Sequence, residues 1–475
     1  MKHSYMYLIA AAAITLAACS REMEIIEEAP QDNETPAVAG PVSFTASVEC
    51  DPASKAVLGL NDSNKPQMFW EDGDEIVVYS SGNSTDGTVS GFKFKTTLSA
   101  NSTSAEFDYV DAAGLASGNY FATYPYRADL RGVNYTTNPY RVAAVDVPNS
   151  QSLVAGSVNR KACPMVAFAS EGSNTLEFKN AAAILKFRVS NSNVYGGQII
   201  ADEADAISGR FRADVDVTTY IPVLETYNQP YYNYIDFSID GTTPLSTGTD
   251  YYVSIRPTTL TSDLKIYLNG NLVKVINKSQ FPEIKRNKIY NLGTLTIPAT
   301  PSEKRLSFDF TGTPKDGWPT AKDASTTNAA GGLPCVYHLY DYDYVFTLAD
   351  CTGASGRRIY WSITNTYGHR IVFENAERYF GFPAIDGYKL VHVRCESSAL
   401  SDLTTAPQMG ITSNVVKTKV TPTYVSGGEL QTWAAGNNHE CYDYELSGTA
   451  NNTVYYLFAK IKGAFRKVTL TYTPI

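Results

Sequence analysis

Cys19 is the residue whose type and setting most clearly indicate a chemical modification. It follows Leu16, Ala17 and Ala18 at the end of an uncharged, mostly apolar stretch over residues 5–18, and Lys2 supplies a positive charge before it. The stretch is shorter than the ~20 residues that a membrane span requires, and it fits the core of a signal peptide. Small residues before the cysteine suit the narrow site of a processing peptidase, and a thiol can form a thioether with a lipid.

The pattern around Cys19 resembles a bacterial lipobox. The resemblance predicts that residues 1–18 are a lipoprotein signal peptide and that Cys19 carries diacylglycerol, with acyl chains such as palmitate, in the outer membrane. Two or more acyl chains are sufficient for stable anchoring. An ordinary signal peptide with a chance cysteine is the alternative.

Residues 19–41 are interpreted as a lipidated acidic tether. Its first part carries Glu22, Glu24, Glu27 and Glu28, and residues 29–41 have the composition of a flexible linker. The acidic cluster resembles the surface-export signal of Bacteroidetes lipoproteins, which implies exposure on the cell surface. A solvated acidic tether without an export role is the alternative.

Composition excludes some functional classes and favours a β fold. The chain has 475 residues, 33 of them Tyr, and a net charge of −9. That acidity argues against a nucleic-acid partner, which normally requires a basic face. From residue 42 onward, short alternating or apolar runs are separated by turn residues, as in all-β sandwiches or barrels. Asn269-Gly270 predicts a hairpin, and the Ala-rich segment 180–189 is interpreted mostly as strand.

The runs divide into three predicted β-domains. They span residues 42–175, 176–297 and 305–475, and the Pro-containing segment 298–304 is interpreted as a linker. We find no internal sequence repeat of 20–50 residues, which argues against a solenoid.

Several motifs over residues 40–297 resemble those of the fimbrillins of Bacteroidetes (FimA/Mfa-like pilins). They are Ser54-Lys55-Ala56; Phe69 to Ile76, against the family's W-x-x-G-D-x-I; Tyr120 to Tyr126, against Y-x-A-x-Y-P; Phe178 to Asn180 with Leu185 to Phe187; and Lys288 to Leu295. The resemblance implies two transthyretin-like β-sandwich domains. It also implies assembly by donor-strand exchange, after a protease cuts behind a basic residue near the first strand. Lys55 and Lys65 are the candidates for that cut before Trp70. We expect Trp70 and Tyr124 themselves to be buried core residues.

Residues 305–475 resemble the jelly-roll, galactose-binding-like modules of Bacteroidetes surface proteins, over 382–390 and 446–456. Aromatic side chains are dense here and could stack on sugar rings. Trp433, between Gly427-Gly428 and Gly436-Asn437-Asn438, is the predicted glycan contact. The alternating Tyr340, Tyr342 and Tyr344 are interpreted as one packed face of a strand, with a binding platform as the alternative.

The remaining reactive residues do not form a recognisable catalytic motif. His439-Glu440 lacks the second His of a zinc-protease motif, and no phosphate-binding or dinucleotide-binding loop occurs. We therefore predict no enzymatic activity, no cofactor and no metal. Beside Cys19 the chain has six cysteines, whose pairing the sequence leaves open, and buried thiols are the preferred interpretation.

The combined prediction is a surface-anchored fimbrillin-like lipoprotein that acts in cell adhesion or fimbria assembly. About 175 residues follow the fimbrillin-like pair, which favours a tip or stand-alone adhesin over a repeating shaft subunit. Other fimbrial subunits and host or dietary glycans are the expected partners. The alternatives are a carbohydrate-binding surface lipoprotein of a polysaccharide-uptake system and a purely structural role without a ligand.

Overall fold

The computed structural model describes residues 42–49, 68–83, 91–110, 114–128, 133–134, 140–202, 204–216, 218–226, 231–320, 333–340, 342–350, 358–362, 370–374, 378–397, 408–412, 423–424, 429–432, 440–446, 454–459 and 463–475. All of them belong to one compact unit, Ala39–Ile475. Over these residues the regular structure is all β, apart from two single 3₁₀ turns at Ser81–Asn83 and Arg160–Ala162. The predicted fold class, all-β, is confirmed.

The strands, in chain order, are β1 (Ser43–Val48), β2 (Glu75–Ser80), β3 (Phe92–Thr96), β4 (Ser104–Tyr109), β5 (Tyr120–Tyr124), β6 (Val133–Asn134), β7 (Tyr140–Val147), β8 (Ser150–Ser152), β9 (Met165–Ala169), β10 (Thr175–Asn180), β11 (Ala183–Val189), β12 (Gly196–Ile200), β13 (Ser208–Val215), β14 (Pro222–Glu225), β15 (Tyr231–Tyr232), β16 (Tyr234–Ser238), β17 (Tyr251–Ile255), β18 (Thr258–Thr259), β19 (Leu264–Leu268), β20 (Asn271–Ile276), β21 (Glu283–Ile284), β22 (Ile289–Leu295), β23 (Lys304–Asp309), β24 (Leu333–Leu339), β25 (Tyr342–Asp350), β26 (Arg358–Ser362), β27 (Arg370–Glu374), β28 (Arg378–Gly381), β29 (Tyr388–Ser397), β30 (Gln408–Thr412), β31 (Thr423–Tyr424), β32 (Glu429–Thr432), β33 (Glu440–Glu445), β34 (Val454–Ala459) and β35 (Gly463–Pro474).

The N-terminal part is a closed barrel in the order β1-β10-β9-β5-β2-β3-β4. Strand β2 shows why its sequence is a continuous apolar run. Ile76 and Val78 point into the barrel core, while Val77 and Tyr79 pack outside it against the sheet β14-β13-β7-β6. A strand covered on both faces gains apolar burial at every position.

The second part packs the sheet β17-β11-β22 against β12, β16, β19 and β20. The strand predicted in the Ala-rich segment is β11. The predicted hairpin is also confirmed, since β19 and β20 pair around Asn269 and Gly270, both at positive φ.

The C-terminal part shares a sheet with the second part. β20 pairs with β23, and β23 pairs with β35, so the 12-stranded sheet runs β32-β33-β29-β35-β23-β20-β19-β12-β16-β8, with β26 and β27 attached through β35. A 6-stranded sheet, β24-β25-β28-β34-β30-β31, faces part of it across an aromatic core. Trp318 and Trp361 lie in that core, 5% and 0% exposed, so neither can be a surface contact.

Two features differ from the sequence-based expectations. The predicted boundary at 175/176 falls at the start of β10, whose pairing with β1 and β9 places it in the N-terminal barrel. The predicted packed face of Tyr340, Tyr342 and Tyr344 is confirmed only in part. Tyr340 and Tyr344 pack against the aromatic core, but the chain turns at Tyr340 between β24 and β25, and Tyr342 is 69% exposed.

Among the described cysteines, Cys163 and Cys335 are buried free thiols. Burial raises the pKa of each to about 12, although a hydrogen bond with Ser254 opposes the shift at Cys163. Both therefore behave as small apolar residues, as the sequence-based interpretation preferred.

Candidate functional site

The site residues predicted from the sequence all lie outside the described residues. This holds for Cys19, for Lys55 and Lys65, and for Trp433. Their roles stay predictions. The described residues nevertheless contain two features with functional potential: the slot that holds β1, and a cleft between the second and C-terminal parts.

Strand β1 is the closing strand of the barrel. It pairs in parallel with β10, from Thr45 beside Thr175 to Val48 beside Phe178, and antiparallel with β4 on its other side. Its alternate residues Phe44, Ala46 and Val48 are buried in the barrel core. Removing β1 would therefore open an apolar slot and leave one edge of β4 and one edge of β10 unpaired.

Trp70 ties the slot to the fimbrillin-like motif. Its Nε1 donates to the Ala46 carbonyl at 3.0 Å, and its ring meets Phe107, Tyr124 and Phe178 edge-on at 4.9–5.3 Å. Trp70 is 0% exposed and Tyr124 is 4% exposed. The expectation that both are core residues is confirmed.

The acidic residues that follow Trp70 anchor a turn. Gly73 has φ +78, and the Asp74 carboxylate accepts from the Glu71 N–H at 2.9 Å and from the Tyr124 hydroxyl at 3.1 Å. Arg160 pairs with both acids. Burial, together with the charge of Asp74, raises the pKa of Tyr124. The motif thus positions the start of β2, and its polar groups are used within the fold.

The end of β1 is fixed by a residue of the second part. Arg286 binds the Glu49 carboxylate in a bidentate pair, with Nη1–Oε2 and Nη2–Oε1 both at 2.9 Å. Glu49 also accepts from the Asn180 N–H at 3.0 Å, and Arg286 donates to the Asn180 carbonyl at 2.8 Å. Planar bidentate pairs of this kind combine charge with directional hydrogen bonds. The slot is therefore closed at this end by the side chains of Glu49 and Arg286 and the backbone of Asn180.

The cleft has a volume of about 380 Å³ and opens between β12 and β16 on one side and β23, β35 and the β24–β25 hairpin on the other. Its aromatic walls come from Tyr195, Phe237, Tyr337 and Tyr340, and its charged groups are Asp236, Asp240, Asp309, Lys315 and Lys467. The volume lies within the ~300–1,000 Å³ range of small-molecule sites.

The charged groups at the bottom of the cleft, Lys467 and Asp236, pair with each other. Lys467 Nζ lies 3.3 Å from Asp236 Oδ2 and 4.0 Å from the centre of the Tyr234 ring. Burial lowers the pKa of Lys467, but Asp236, Tyr234 and Glu396 together outweigh it and raise that pKa well above its usual value. Gln198 donates to Asp236 at 2.5 Å and accepts from Arg305 at 3.2 Å. Lys467 therefore stays protonated and its charge is neutralised by Asp236.

Sequence reasoning did not identify this cleft. The sequence predicts that the tyrosines within 337–344 pack in the core, with a binding platform as the alternative. No local sequence pattern singles out Tyr195 or Asp309. Their proximity depends on β23 pairing beside β20, which is a long-range contact.

No group of three or more His, Cys, Asp or Glu side chains in the described segments could hold a metal ion. No helix in the same segments is long and apolar enough to cross a membrane.

No protein-family model matches the chain, and no curated protein matches it. Solved structures do match. A "putative cell adhesion protein" from Bacteroides uniformis is 16% identical, with 54% of this chain and 94% of that chain covered and a TM-score of 0.33. A second, from Bacteroides ovatus, is 14% identical, with 55% and 96% covered and a TM-score of 0.31. The tip fimbrial protein Mfa3 from Porphyromonas gingivalis is 10% identical, with 54% and 96% covered and a TM-score of 0.24. All three are named as cell adhesion or fimbrial proteins.

Proposed function

We propose that this chain is a surface-anchored fimbrillin-like lipoprotein that acts in cell adhesion or fimbria assembly, as a tip or stand-alone adhesin. The observation that carries the proposal is the position of β1. It closes the barrel between β4 and β10, and residues 50–67, which contain Lys55 and Lys65, follow it directly in the chain.

Trimming after either lysine would separate β1 from the rest of the barrel. Its loss would expose backbone N–H and C=O groups on β4 and β10 and the pockets of Phe44, Ala46 and Val48. An extended strand from another subunit satisfies both needs at once, because main-chain hydrogen bonds supply affinity and alternate side chains fill the pockets.

Mass spectrometry of the mature N-terminus tests processing. In the native bacterium we expect an N-terminus just after Lys55 or Lys65 in assembled material, and a lipidated Cys19 in untrimmed material. The double variant Lys55→Ala/Lys65→Ala should keep its N-terminus at Cys19, whereas Lys95→Ala, an exposed residue of β3, should be trimmed normally. An unmodified Cys19 would contradict lipidation. Cleavage that still occurs in the double variant would contradict processing at Lys55 or Lys65.

Anchoring and location are tested in cells. Cys19→Ala should release the protein from the outer membrane and remove it from the cell surface, and Ser20→Ala should leave it there. Electron microscopy of the trimmed protein tests the tip or stand-alone role, which long homopolymers would contradict.

The second candidate function is a carbohydrate-binding surface lipoprotein of a polysaccharide-uptake system, and the cleft supports it. A glycan array distinguishes the two, since plant or dietary polysaccharides favour uptake and host mucin glycans favour adhesion. The array requires the whole chain rather than residues 302–475, because β12 and β16 form one wall of the cleft.

A further inference from the structure

We infer that the cleft between β12, β16, β23, β35 and the β24–β25 hairpin is a binding site for a short neutral oligosaccharide, with Tyr340 and Asp309 as its main contacts. The inference rests on the second candidate function and gives it a location different from Trp433.

The cleft is a concave space that opens to solvent at the junction of the second and C-terminal parts. Here a space of about 380 Å³ persists between two parts that already share a continuous sheet. Its walls combine tyrosine rings with carboxylates and lysines, the groups that meet the apolar faces and the hydroxyls of a sugar.

Tyr340 occupies a conformation that does not favour tyrosine. It has φ +60 in the two-residue connection between Leu339 and Tyr342, where Asn or Gly is preferred. The hairpin between β19 and β20 uses Asn269-Gly270 at the equivalent place. A bulky residue at positive φ is strained, and such positions cluster at functional sites. The half-buried ring that results lines the cleft.

Polar groups at the cleft are available to a ligand. Within the part of the chain that the structure describes, the Tyr340 and Tyr195 hydroxyls make no hydrogen bond. The exposed Asp309 uses Oδ1 for the Thr311 N–H and hydroxyl at 2.8 and 2.6 Å, which leaves Oδ2 for a sugar hydroxyl. Lys315 Nζ lies 5.3 Å from the centre of the Tyr337 ring at the same wall.

The charge balance favours a neutral ligand. Asp236 and Lys467 neutralise each other, so among the described lining residues Asp240 and Asp309 face one further lysine, Lys315, while His338 is hydrogen-bonded to Asp343. Hydrogen bonds from Thr242 and Thr243 lower the pKa of Asp240 and keep it ionised. The negative charge of an acidic sugar would be repelled by the Asp240 and Asp309 carboxylates. The hydroxyls of a neutral sugar can instead donate hydrogen bonds to these carboxylates.

Isothermal titration calorimetry of the whole chain tests the inference. The neutral probes are cellotriose, xylotriose, mannotriose, lactose and N-acetyllactosamine, and sialyllactose is the acidic probe. At least one neutral probe should bind. Tyr340→Asn, which tolerates the positive φ but lacks the ring, and Asp309→Asn should each weaken that binding about tenfold. Tyr342→Ala, an exposed neighbour that does not line the cleft, is the matched control and should bind normally.

Each other outcome is decisive. Binding that is lost only in Trp433→Ala overturns the location but leaves the carbohydrate function standing. Binding of sialyllactose alone overturns the neutral class. No binding by any probe overturns both the inference and the second candidate function, and leaves the adhesion proposal to its own tests. A thermal melt confirms that each variant is folded, and Asp309→Asn, at an exposed position, keeps the test valid if Tyr340→Asn is unstable.

Discussion

Arg286 and Glu49 form a bidentate ion pair between residues 237 positions apart in the chain, with both N–O distances at 2.9 Å. Glu49 directly follows β1, and Arg286 lies in the second part, between β21 and β22. Their side chains are only 13% and 19% exposed. The pair therefore couples the closing strand of the N-terminal barrel to the second part.

We expect Arg286→Ala to loosen β1 selectively. The variant leaves the Glu49 carboxylate largely buried without its cation. We therefore expect the free energy of unfolding to fall by about 2–4 kcal/mol. Hydrogen exchange of the β1 amides should accelerate more than that of β5, the matched internal strand. Lys285→Ala, which removes an exposed pair with Glu283, should change stability by less than about 0.5 kcal/mol. Unchanged exchange in β1 would show that barrel pairing alone holds the strand.

Trp70 and Trp361 provide a matched test of a buried hydrogen bond. Both rings are 0% exposed, but Trp70 Nε1 donates to the Ala46 carbonyl, whereas Trp361 Nε1 is buried without a partner among the described residues. Trp→Phe leaves a cavity in both cases. At position 70 it also removes a buried hydrogen bond to the Ala46 carbonyl, so the loss of unfolding free energy should be larger by about 1 kcal/mol. Urea unfolding measures the difference, and equal losses would contradict the role of Trp70 in holding β1.

Stability should fall at alkaline pH because buried thiols resist ionisation. Burial raises the pKa of Cys163 and Cys335 to about 12, from 9.0 in the unfolded chain. Between these values the unfolded state has lost protons that the native state retains. The stabilisation is thus complete below about pH 9 and declines as pH rises towards 12, by about 1.4 kcal/mol per pH unit for each group.

The thiol contribution can be isolated in a variant. Urea unfolding of Cys163→Ala at several pH values above 9 should give a shallower decline than the parent chain, by about the slope of one group. Ser20→Ala is a control that retains every thiol. An identical slope in Cys163→Ala would mean that the Cys163 thiol does not contribute to the alkaline loss of stability.

The strands that local pattern could predict were those with alternating or doubly buried residues. β11 lies in the predicted segment 180–189, and the Asn269-Gly270 turn is where its sequence indicates. These features depend on side-chain period and on backbone preferences, which act over a few residues.

The features that were missed depend on long-range pairing or on strain. No local pattern indicates that β10 pairs in parallel with β1, about 130 residues earlier, or that β23 joins β20 at Lys304, the last residue of the predicted linker. The turn at Tyr340 lacks Gly, Asn and Pro, so the run was interpreted as one strand. The cleft depends on both of these features, and for that reason the sequence did not reveal it.

Gly270 tests the junction between the second and C-terminal parts. It has φ +74, its carbonyl accepts from the Arg305 N–H at 2.7 Å, and an added Cβ would lie 2.5 Å from Leu306 Cδ2 and 2.8 Å from the Arg305 carbonyl oxygen. Gly293 has nearly the same φ, +75, but no atom within 4 Å of an added Cβ. Gly293→Ala should therefore lower the free energy of unfolding by about 1–2 kcal/mol, because only the positive φ opposes the added Cβ. Gly270→Ala should cost about 1–3 kcal/mol more, because β23 must move away from the hairpin. Urea unfolding of the two variants measures the difference, and equal costs would show that β23 does not pack tightly on this turn.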